Sequence, residues 1–379
     1  MSPFDLTTPE GVLAYLTSTP FASERAEPRS GGNTNFIFRL YLNKPYEGHP
    51  TLILKHARSY VASAPEFILP VSRQAFEVDA LRRVQTWLPP NARVTVPAVY
   101  FFDPNADVII MDDAGPSAIP LKAALLEGRI PSPRAAALGT ELGEFLRALH
   151  AWGRANVELR EALGKNTFAR EISAFVTYGR LDATLSAPGG NKDGSEEQQR
   201  LVSVLGNEPL GVSEDTLHVV KALAERRIAQ VKESCDDTFV MGDFWPGNVL
   251  VGEENDPMLV VDWEIARPGL AGMDVGQFCA ELATLRRLRP ERGEAAGETL
   301  KNFVRAYFEG DVGPEIDETR RIALGHFGVH LAVWTPRTGW NGGVKATRAL
   351  VLGGVARLAE GADEEKSWTD EEIVQKFMS

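Results

Sequence analysis

The stretch VMGDFWPGNVLVGEENDPMLVVDWEIARPG, residues 240–269, decides which fold the chain adopts. Asp243 follows one apolar run, Asn248 precedes a second run, and Asp262 ends a third. A hairpin of the last two runs places Asn248 and Asp262 at one rim, a few ångströms from Asp243. Carboxylates beside buried strands are costly unless a positive group satisfies them. The stretch therefore favours a divalent cation with a phosphate group behind it.

Composition limits the classes of partner. The 379 residues are 44% hydrophobic and 24% charged, which fits two domains or one domain of two lobes. A net charge of −12 argues against nucleic acid and anionic membrane as partners. The two cysteines make no disulfide framework and no metal cluster, and no signal peptide or membrane-spanning run is visible. We therefore expect a cytoplasmic protein of unknown oligomeric state.

The predicted secondary structure changes near Asp113. Before it, short β-branched or aromatic runs predict strands at 36–42, 51–57, 94–103 and 107–113. One helix, predicted at 72–88, interrupts them, and after Asp113 only 238–262 again has the pattern of strands. The polar, Gly-rich segment 186–200 predicts a surface loop or a partly disordered segment. The sequence therefore predicts an α+β chain, with a small antiparallel sheet at 1–113 and a mostly helical region at 114–379.

Residues suited to binding nucleotide phosphates lie in the N-terminal part. Phosphoryl transfer needs a phosphate cradle, a cation, metal ligands and a carboxylate at the attacking hydroxyl. Gly31 and Gly32, followed by Asn33 and Asn35, precede a strand, so that backbone N–H groups can approach phosphate closely. A simple turn is the alternative. The backbone of the expected hinge is predicted to take the adenine edge, at Met111, Asp112 and Asp113.

A lysine and a glutamate complete the predicted nucleotide site. Lys55 ends an apolar strand, and Glu77 lies in the following helix, where it can pair with Lys55 and orient it. The alternatives are a strand-end charge reaching water and a solvated helix face. Oxygens of Asn248 and Asp262, with phosphates and water, complete a Mg²⁺ octahedron. Asp243 then has no ligand role and can accept a hydroxyl proton. Separate Asx-turns would also explain these three residues, but turns do not usually fall at this spacing.

Three motifs taken together carry a family resemblance: MGDFWPGN (241–248), DWE (262–264) and GMDVGQF (272–278). They resemble the aminoglycoside phosphotransferase and choline kinase superfamily, whose members share the bilobal protein-kinase-like fold. The resemblance implies ATP, Mg²⁺, a small hydroxylated acceptor, and a loop-bracing role for Asp274. Met241 stands where the family has a loop His. The segment 30–40 is closer to 5-methylthioribose kinases, and several stretches are similar to 4-hydroxytryptamine kinases, which likewise lack the loop His.

The acceptor side is less defined by sequence. Trp334 and Trp340, with Glu264, are predicted to form an aromatic and acidic pocket for an amino alcohol through cation–π contact; the alternative for Trp334 is core packing. Arg320 and Arg321 fall about one helical turn from the twin arginine of 5-methylthioribose kinases, so that role is not assigned.

We therefore expect an ATP- and Mg²⁺-dependent kinase of a small metabolite: an amino alcohol, a hydroxyindole-type amine or a sugar-like compound. The alternatives are a nucleotide-binding pseudokinase scaffold and a 5-methylthioribose-kinase-like sugar kinase. A methyltransferase or dehydrogenase would need its Gly-rich turn after the first strand of a parallel sheet, whereas this Gly-rich segment precedes a strand.

Overall fold

The computed structural model describes residues 4–29, 34–62, 64–189, 195–233, 237–340 and 342–379. The chain forms two compact units: the first is Met1–Pro120 with Gly247–Ile265, and the second is Leu121–Pro246 with Ala266–Ser379. The predicted functional division, a nucleotide-binding lobe at 1–113 and an acceptor lobe at 114–379, stays a prediction. No helix in the described part of the chain is long and apolar enough to cross a bilayer.

The elements up to Pro120 are α1 (Pro9–Leu16), β1 (Ser23–Pro28), β2 (Phe36–Tyr46), β3 (His49–His56), β4 (Tyr60–Val61), β5 (Ala64–Ile68), α2 (Arg73–Trp87), β6 (Val94–Thr95), β7 (Val99–Asp103), β8 (Val108–Asp112) and β9 (Ile119–Pro120). The remaining elements are α3 (Leu121–Leu126), α4 (Ser132–Ala155), α5 (Val157–Leu163), α6 (Thr167–Val176), α7 (Leu181–Ser186), α8 (Glu196–Leu205), α9 (Glu214–Glu233), β10 (Thr238–Val240), β11 (Val249–Val251), β12 (Met258–Val260), β13 (Arg267–Gly269), α10 (Ala271–Leu288), α11 (Gly293–Phe308), α12 (Pro314–Trp334), α13 (Gly343–Gly361) and α14 (Asp370–Met378).

The first unit is built on a five-stranded antiparallel sheet in the order β1-β2-β3-β8-β7. Side chains alternate between the two faces of a strand, so neighbouring residues of β3 have different environments. Leu52 and Leu54 enter the apolar core with residues of α1, β2 and β8. Ile53 and Lys55 face the other way and line a cavity. The alternation of β3 thus explains why the chain places a lysine at the cavity.

A second sheet of the first unit contains the predicted hairpin. Its order is β6-β12-β11-β9, and β11 pairs antiparallel with β12. The main-chain N–H of Val261 donates to the carbonyl of Asn248 at 2.9 Å, which closes the rim of the hairpin. The prediction that this hairpin brings the segments of Asn248 and Asp262 together is confirmed.

The prediction of one strand over 94–103 is wrong. Residues 94–95 form β6, which runs parallel to β12 in the second sheet, while 99–103 form β7, which pairs with β8 in the first. Pro97 lies between them and has no N–H to donate to a ladder, and proline also restricts the residue before it. The chain therefore changes sheets at this proline.

The second unit is mostly helical, as predicted. Its core combines the short helices before α9 with α9, α10, α12 and α13. Helix α10 packs very closely on α12 at Gly276, where an added Cβ would lie 2.5 Å from the carbonyl oxygen of Ala323. Only glycine allows this approach without a shift of one helix.

The prediction of a surface loop over 186–200 is wrong at its C-terminal end. Helix α8 begins at Glu196, and the hydroxyl of Ser195 accepts a hydrogen bond from the Gln198 N–H at 3.2 Å. The negative charges of Glu196 and Glu197 in the first turn are stabilised by the positive end of the helix dipole. The capping pattern Ser195-Glu196-Glu197 therefore predicts the local structure better than the polar composition of the segment does. Residues 190–194 lie outside the described residues.

Candidate active site

Lys55 is the centre of a buried charge cluster in the first unit. Its ammonium donates to Oε1 of Glu77 at 2.7 Å and to Oδ1 of Asp262 at 2.7 Å. Lys55 is 3% exposed and Glu77 is 1% exposed, whereas the Asp262 side chain is 29% exposed. The predicted pairing of Lys55 with Glu77 is present, and the same ammonium also reaches the carboxylate of Asp262.

Burial and charge act in opposite senses on this cluster. Loss of hydration raises the pKa of Glu77 to about 7, although the Lys55 charge partly offsets that rise. For Lys55, burial lowers the pKa, but the carboxylates of Asp262 and Glu77 outweigh burial and raise it. Lys55 therefore keeps its positive charge at neutral pH.

Asn35 and Glu264 belong to a neighbouring buried network. The Asn35 amide donates to Oε2 of Glu264 at 2.9 Å, and the guanidinium of Arg73 donates to the same oxygen at 3.1 Å. Arg73 also donates to the Asn35 side-chain oxygen at 2.9 Å. Arg73 thus contacts both predicted site residues, and a carboxylate oxygen of Glu264 lies within 4.8 Å of oxygens of Glu77 and Asp262, the two partners of Lys55. Gly31, Gly32 and Asn33 lie outside the described residues.

One cavity of about 150 Å³ is lined by most of the residues that are predicted to form the nucleotide site. Its walls include apolar side chains from the first sheet, α2 and the hairpin: Ile37, Ile53, Leu81, Leu250, Leu259 and Val261. Its polar and main-chain lining contains the predicted residues Lys55, Glu77, Met111, Asp112, Asp113, Asn248 and Asp262. Mostly apolar walls with a few convergent polar groups are typical of small-molecule sites.

The segment after β8 is held by its own carboxylates. Asp112 accepts from the Tyr100 hydroxyl at 2.5 Å and from the Ala98 N–H at 2.9 Å. The main-chain N–H of Asp112 donates to the Ala98 carbonyl, so this N–H is not available to a ligand. Asp113 pairs with the buried Arg39, which the sequence analysis did not single out. The side chains of this segment therefore fix its main chain at the cavity.

Asn248 and Asp262 fit a Mg²⁺ ion by their donor chemistry. Both line the same cavity, and both offer the hard oxygen atoms that Mg²⁺ prefers. Asp262 has a φ of 70°, a left-handed backbone conformation that non-glycine residues seldom adopt.

In the second unit, Asp274 braces the loop that carries Asp243. Its carboxylate accepts from the Met241 N–H at 2.9 Å and from the Gly242 N–H at 3.0 Å. The His150 ring nitrogen Nε2 lies 3.3 Å from the same carboxylate, and Nδ1 lies 2.7 Å from the Tyr307 hydroxyl. The bracing expected of Asp274 is confirmed. Although Met241 replaces the loop His, a histidine from α4 still contacts Asp274.

Asp243 is oriented by a residue of the same helix as Asp274. The side-chain amide of Gln277 donates to Oδ1 of Asp243 at 2.6 Å. Gln277 follows Asp274 by three residues on α10, so both project from one helix face. The next loop residue, Phe244, is fully buried, with its ring centroid 5.2 Å from that of Phe278. The loop is thus fixed on both sides of Asp243.

The two predicted acceptor-site tryptophans also lie in the second unit. Trp334 ends α12 and donates its indole N–H to the Thr177 hydroxyl at 3.2 Å. Trp340 follows outside the helix, as predicted, and is 7% exposed. The Lys122 ammonium lies 4.1 Å from the Trp340 ring centroid. A cation of the chain itself therefore covers one face of Trp340.

Arg320 and Arg321 contact the C-terminal segment. Arg320 donates to Asp370, and Arg321 donates to the Lys366 carbonyl at 2.9 Å. Their interactions tie α12 to the segment around α14.

Comparison with known proteins identifies the family. A model of the phosphotransferase enzyme family matches residues 27–316, which is more than half of the chain. The chain belongs to this family. The phosphotransferase is 28% identical to a 4-hydroxytryptamine kinase of Psilocybe cyanescens, with 99% of each chain covered. It is 25% identical to a methylthioribose kinase of a Geobacillus species over 69% of this chain and 60% of that enzyme.

The fold prediction is confirmed by a solved structure. An ethanolamine kinase of Plasmodium vivax superposes with a TM-score of 0.50 at 11% identity, over 93% of this chain and 95% of that one. At that identity the similarity shows the fold alone. The phosphotransferase therefore has the α+β, protein-kinase-like fold of small-molecule kinases.

Three contacts of this phosphotransferase escaped the sequence analysis. His150 and Arg39 were missed because each meets its partner from a distant part of the chain: Asp274 is 124 residues from His150, and Asp113 is 74 residues from Arg39. Gln277 carried a usable signal, since it lies one helical turn after Asp274 in the quoted motif. Helical spacing alone would have placed it on the face that braces the loop.

Proposed function

We propose that this phosphotransferase moves the γ-phosphoryl group of ATP, with Mg²⁺, to a hydroxyl group of a small metabolite. The observation that supports it best is the cavity of the first unit, where Lys55 is paired with Glu77 and Asp262 beside Asn248. A charged lysine can bind phosphate oxygens, and two neighbouring side-chain oxygen ligands can bind a metal ion. Both are required to bind a nucleoside triphosphate for phosphoryl transfer. A cytoplasmic location stays a prediction.

The environment of each described residue supports a role for it. Lys55, oriented by Glu77, binds the α- and β-phosphates, and the main chain of 111–113 contacts adenine; the predicted phosphate cover at 31–35 falls largely outside the described residues. Asn248 and Asp262 hold Mg²⁺, which when bound neutralises charge on the phosphates. Asp243, held by Gln277, accepts the hydroxyl proton at a carboxylate oxygen. The acceptor oxygen forms the new bond to phosphorus as the bond to the ADP oxygen breaks.

The names of the relatives support a class of acceptor. The names of the matched proteins, 4-hydroxytryptamine kinase and methylthioribose kinase, support a hydroxyindole-type amine, with a sugar-like compound as the second candidate. An amino alcohol remains within the proposal. A pseudokinase scaffold is disfavoured because Lys55, Glu77, Asp243, Asn248 and Asp262 are all present.

The test is transfer of label from ATP. The protein is incubated with Mg²⁺ and γ-labelled ATP against a panel of amino alcohols, hydroxyindoles, thiosugars and aminoglycosides. We expect acceptor-dependent formation of ADP and a labelled product for at least one class. Binding of ATP without any labelled product across the panel would favour the scaffold instead.

We expect Asp262→Ala to weaken productive binding of Mg·ATP, because it deletes a charged metal ligand. The measurement is the dependence of turnover on Mg²⁺ concentration, which should shift to higher concentrations. Asp256→Ala, in the turn between β11 and β12, is the matched control and should behave as the parent. An unchanged Mg²⁺ dependence in Asp262→Ala would remove this residue from the metal site.

A further inference from the structure

A lysine of the second unit lies against the loop that carries Asp243. The main-chain N–H of Lys122 donates to the Pro246 carbonyl at 2.9 Å. Its ammonium lies 5.0 Å from the ring centroid of Trp245 and 4.1 Å from that of Trp340. Lys122 is thus fixed beside the loop by its main chain and by its charged end.

A buried carboxylate holds the charged end in place. Glu281 accepts from the Lys122 ammonium at 2.9 Å and lies 3.1 Å from Nε2 of His330. Burial alone would raise the pKa of Glu281, but the hydrogen bond to His330 and the Lys122 charge lower it to about 2. Glu281 therefore stays an anion at neutral pH and keeps Lys122 paired.

One face of α10 organises this whole region. Asp274, Gln277 and Glu281 follow one another at spacings of three and four residues, so they project from the same side of the helix. The first braces the loop backbone, the second orients Asp243, and the third holds Lys122. The helix that positions the proposed base therefore also positions the lysine.

The Lys122 ammonium retains donors for a ligand. An ammonium group has three N–H donors, and within the described part of the chain its only hydrogen bond is to Glu281. The side chain is 22% exposed, so part of it reaches solvent. Two tryptophan rings and a carboxylate form a cage suited to an ammonium, and Lys122 already occupies it. A substrate amine would have to displace it.

We propose that Lys122 binds the acceptor molecule, through N–H donation to a carboxylate or other anionic oxygen on a hydroxylated aromatic compound that packs on Trp245. This inference rests on the proposed phosphoryl transfer, but it selects an anionic acceptor in place of the amine that the names of the relatives support. It replaces the amine contact expected at Trp340 with an oxygen contact at Lys122. Trp340 then serves to hold the lysine.

The test measures binding rather than turnover. Three hydroxyindoles with the same ring and hydroxyl, carrying a carboxymethyl, a methyl or an aminoethyl group at C3, are titrated by calorimetry in the presence of Mg·ADP. The parent should bind the carboxymethyl probe most tightly. In Lys122→Met that affinity should fall about tenfold to hundredfold, the usual range for a lost charge-assisted hydrogen bond. The aminoethyl probe should bind more tightly, because the cage is vacated.

Controls separate recognition from structure. Lys165→Met removes an exposed lysine of the same unit and should leave all three affinities unchanged. Lys122→Arg should retain the preference for the carboxymethyl probe. Where Lys122→Met leaves Glu281 unpaired and lowers the melting temperature, the double variant Lys122→Met/Glu281→Gln removes both charges and should show the same loss.

Several results would overturn the inference. The first is that the parent binds the aminoethyl probe most tightly. The second is that Lys122→Met loses the same affinity for all three probes, and the third is that the parent binds none of them. Failure of the proposed function is distinct: the carboxymethyl probe would bind in a Lys122-dependent manner, yet no label would pass from ATP to any acceptor. Transfer to amines that is unaffected by Lys122→Met would leave the function standing without this inference.

Discussion

Asp243→Asn is expected to lower turnover by about 10²–10⁴-fold, the usual contribution of a general base. The amide keeps the shape of the side chain and an oxygen that can accept from Gln277, so the loop should not move. It cannot take up the hydroxyl proton. Turnover at saturating ATP and acceptor, with Mg·ADP affinity by calorimetry, makes the comparison: the rate should collapse while nucleotide affinity stays nearly unchanged.

Asp215→Asn is a matched control for this variant, because it makes the same change at an exposed position in the first turn of α9. It should leave turnover within experimental error of the parent. A rate for Asp243→Asn within a few-fold of the parent would remove Asp243 from the role of base.

Lys55→Met is expected to raise the KM for ATP and to cut turnover by about 10²-fold or more, the scale seen when one fixed electrostatic contact to a transition state is lost. The phosphates lose their cation, and the carboxylates of Glu77 and Asp262 lose the charge between them. Glu77→Ala should act in the same direction but more weakly, because it reaches the phosphates only through Lys55.

The double variant tests that coupling. Neighbours in one network are not additive, so Lys55→Met/Glu77→Ala should lose less than the sum of the two single losses. The measurement is kcat/KM for ATP, with Lys44→Met as an exposed lysine control on β2. Fully additive losses would mean that Glu77 does not act through Lys55.

Local patterns predicted the parts of the site that lie on single elements. The hairpin with Asn248 and Asp262, and the strand and helix carrying Lys55 and Glu77, follow from apolar periodicity over short stretches. The bracing contact of Asp274, by contrast, was implied by the family resemblance of its motif, since its partners lie 32 and 33 residues away. The hairpin, the strand and the helix could be predicted from the sequence because their periodicity depends on neighbours within a few residues.

Contacts between distant segments were not accessible from the sequence. Lys122 meets Glu281 across 159 residues, and neither residue stands in a motif. Asn35 meets Glu264 across 229 residues, and Arg73, which contacts both, is 38 residues from Asn35 and 191 from Glu264. Side-chain partners of this kind depend on tertiary packing, which periodicity does not encode. The change of sheet at Pro97 likewise depended on which strand was available to pair.

The most direct test of the central claim follows the γ-phosphoryl group itself. The protein is incubated with Mg²⁺ and the best acceptor of the panel, using ATP labelled at the γ-phosphate in one reaction and at the α-phosphate in another. We expect one phosphoryl group on an acceptor hydroxyl, carrying the γ label, with the α label remaining in ADP. Label from the α position in the product, or ATP consumption without a labelled acceptor, would contradict it.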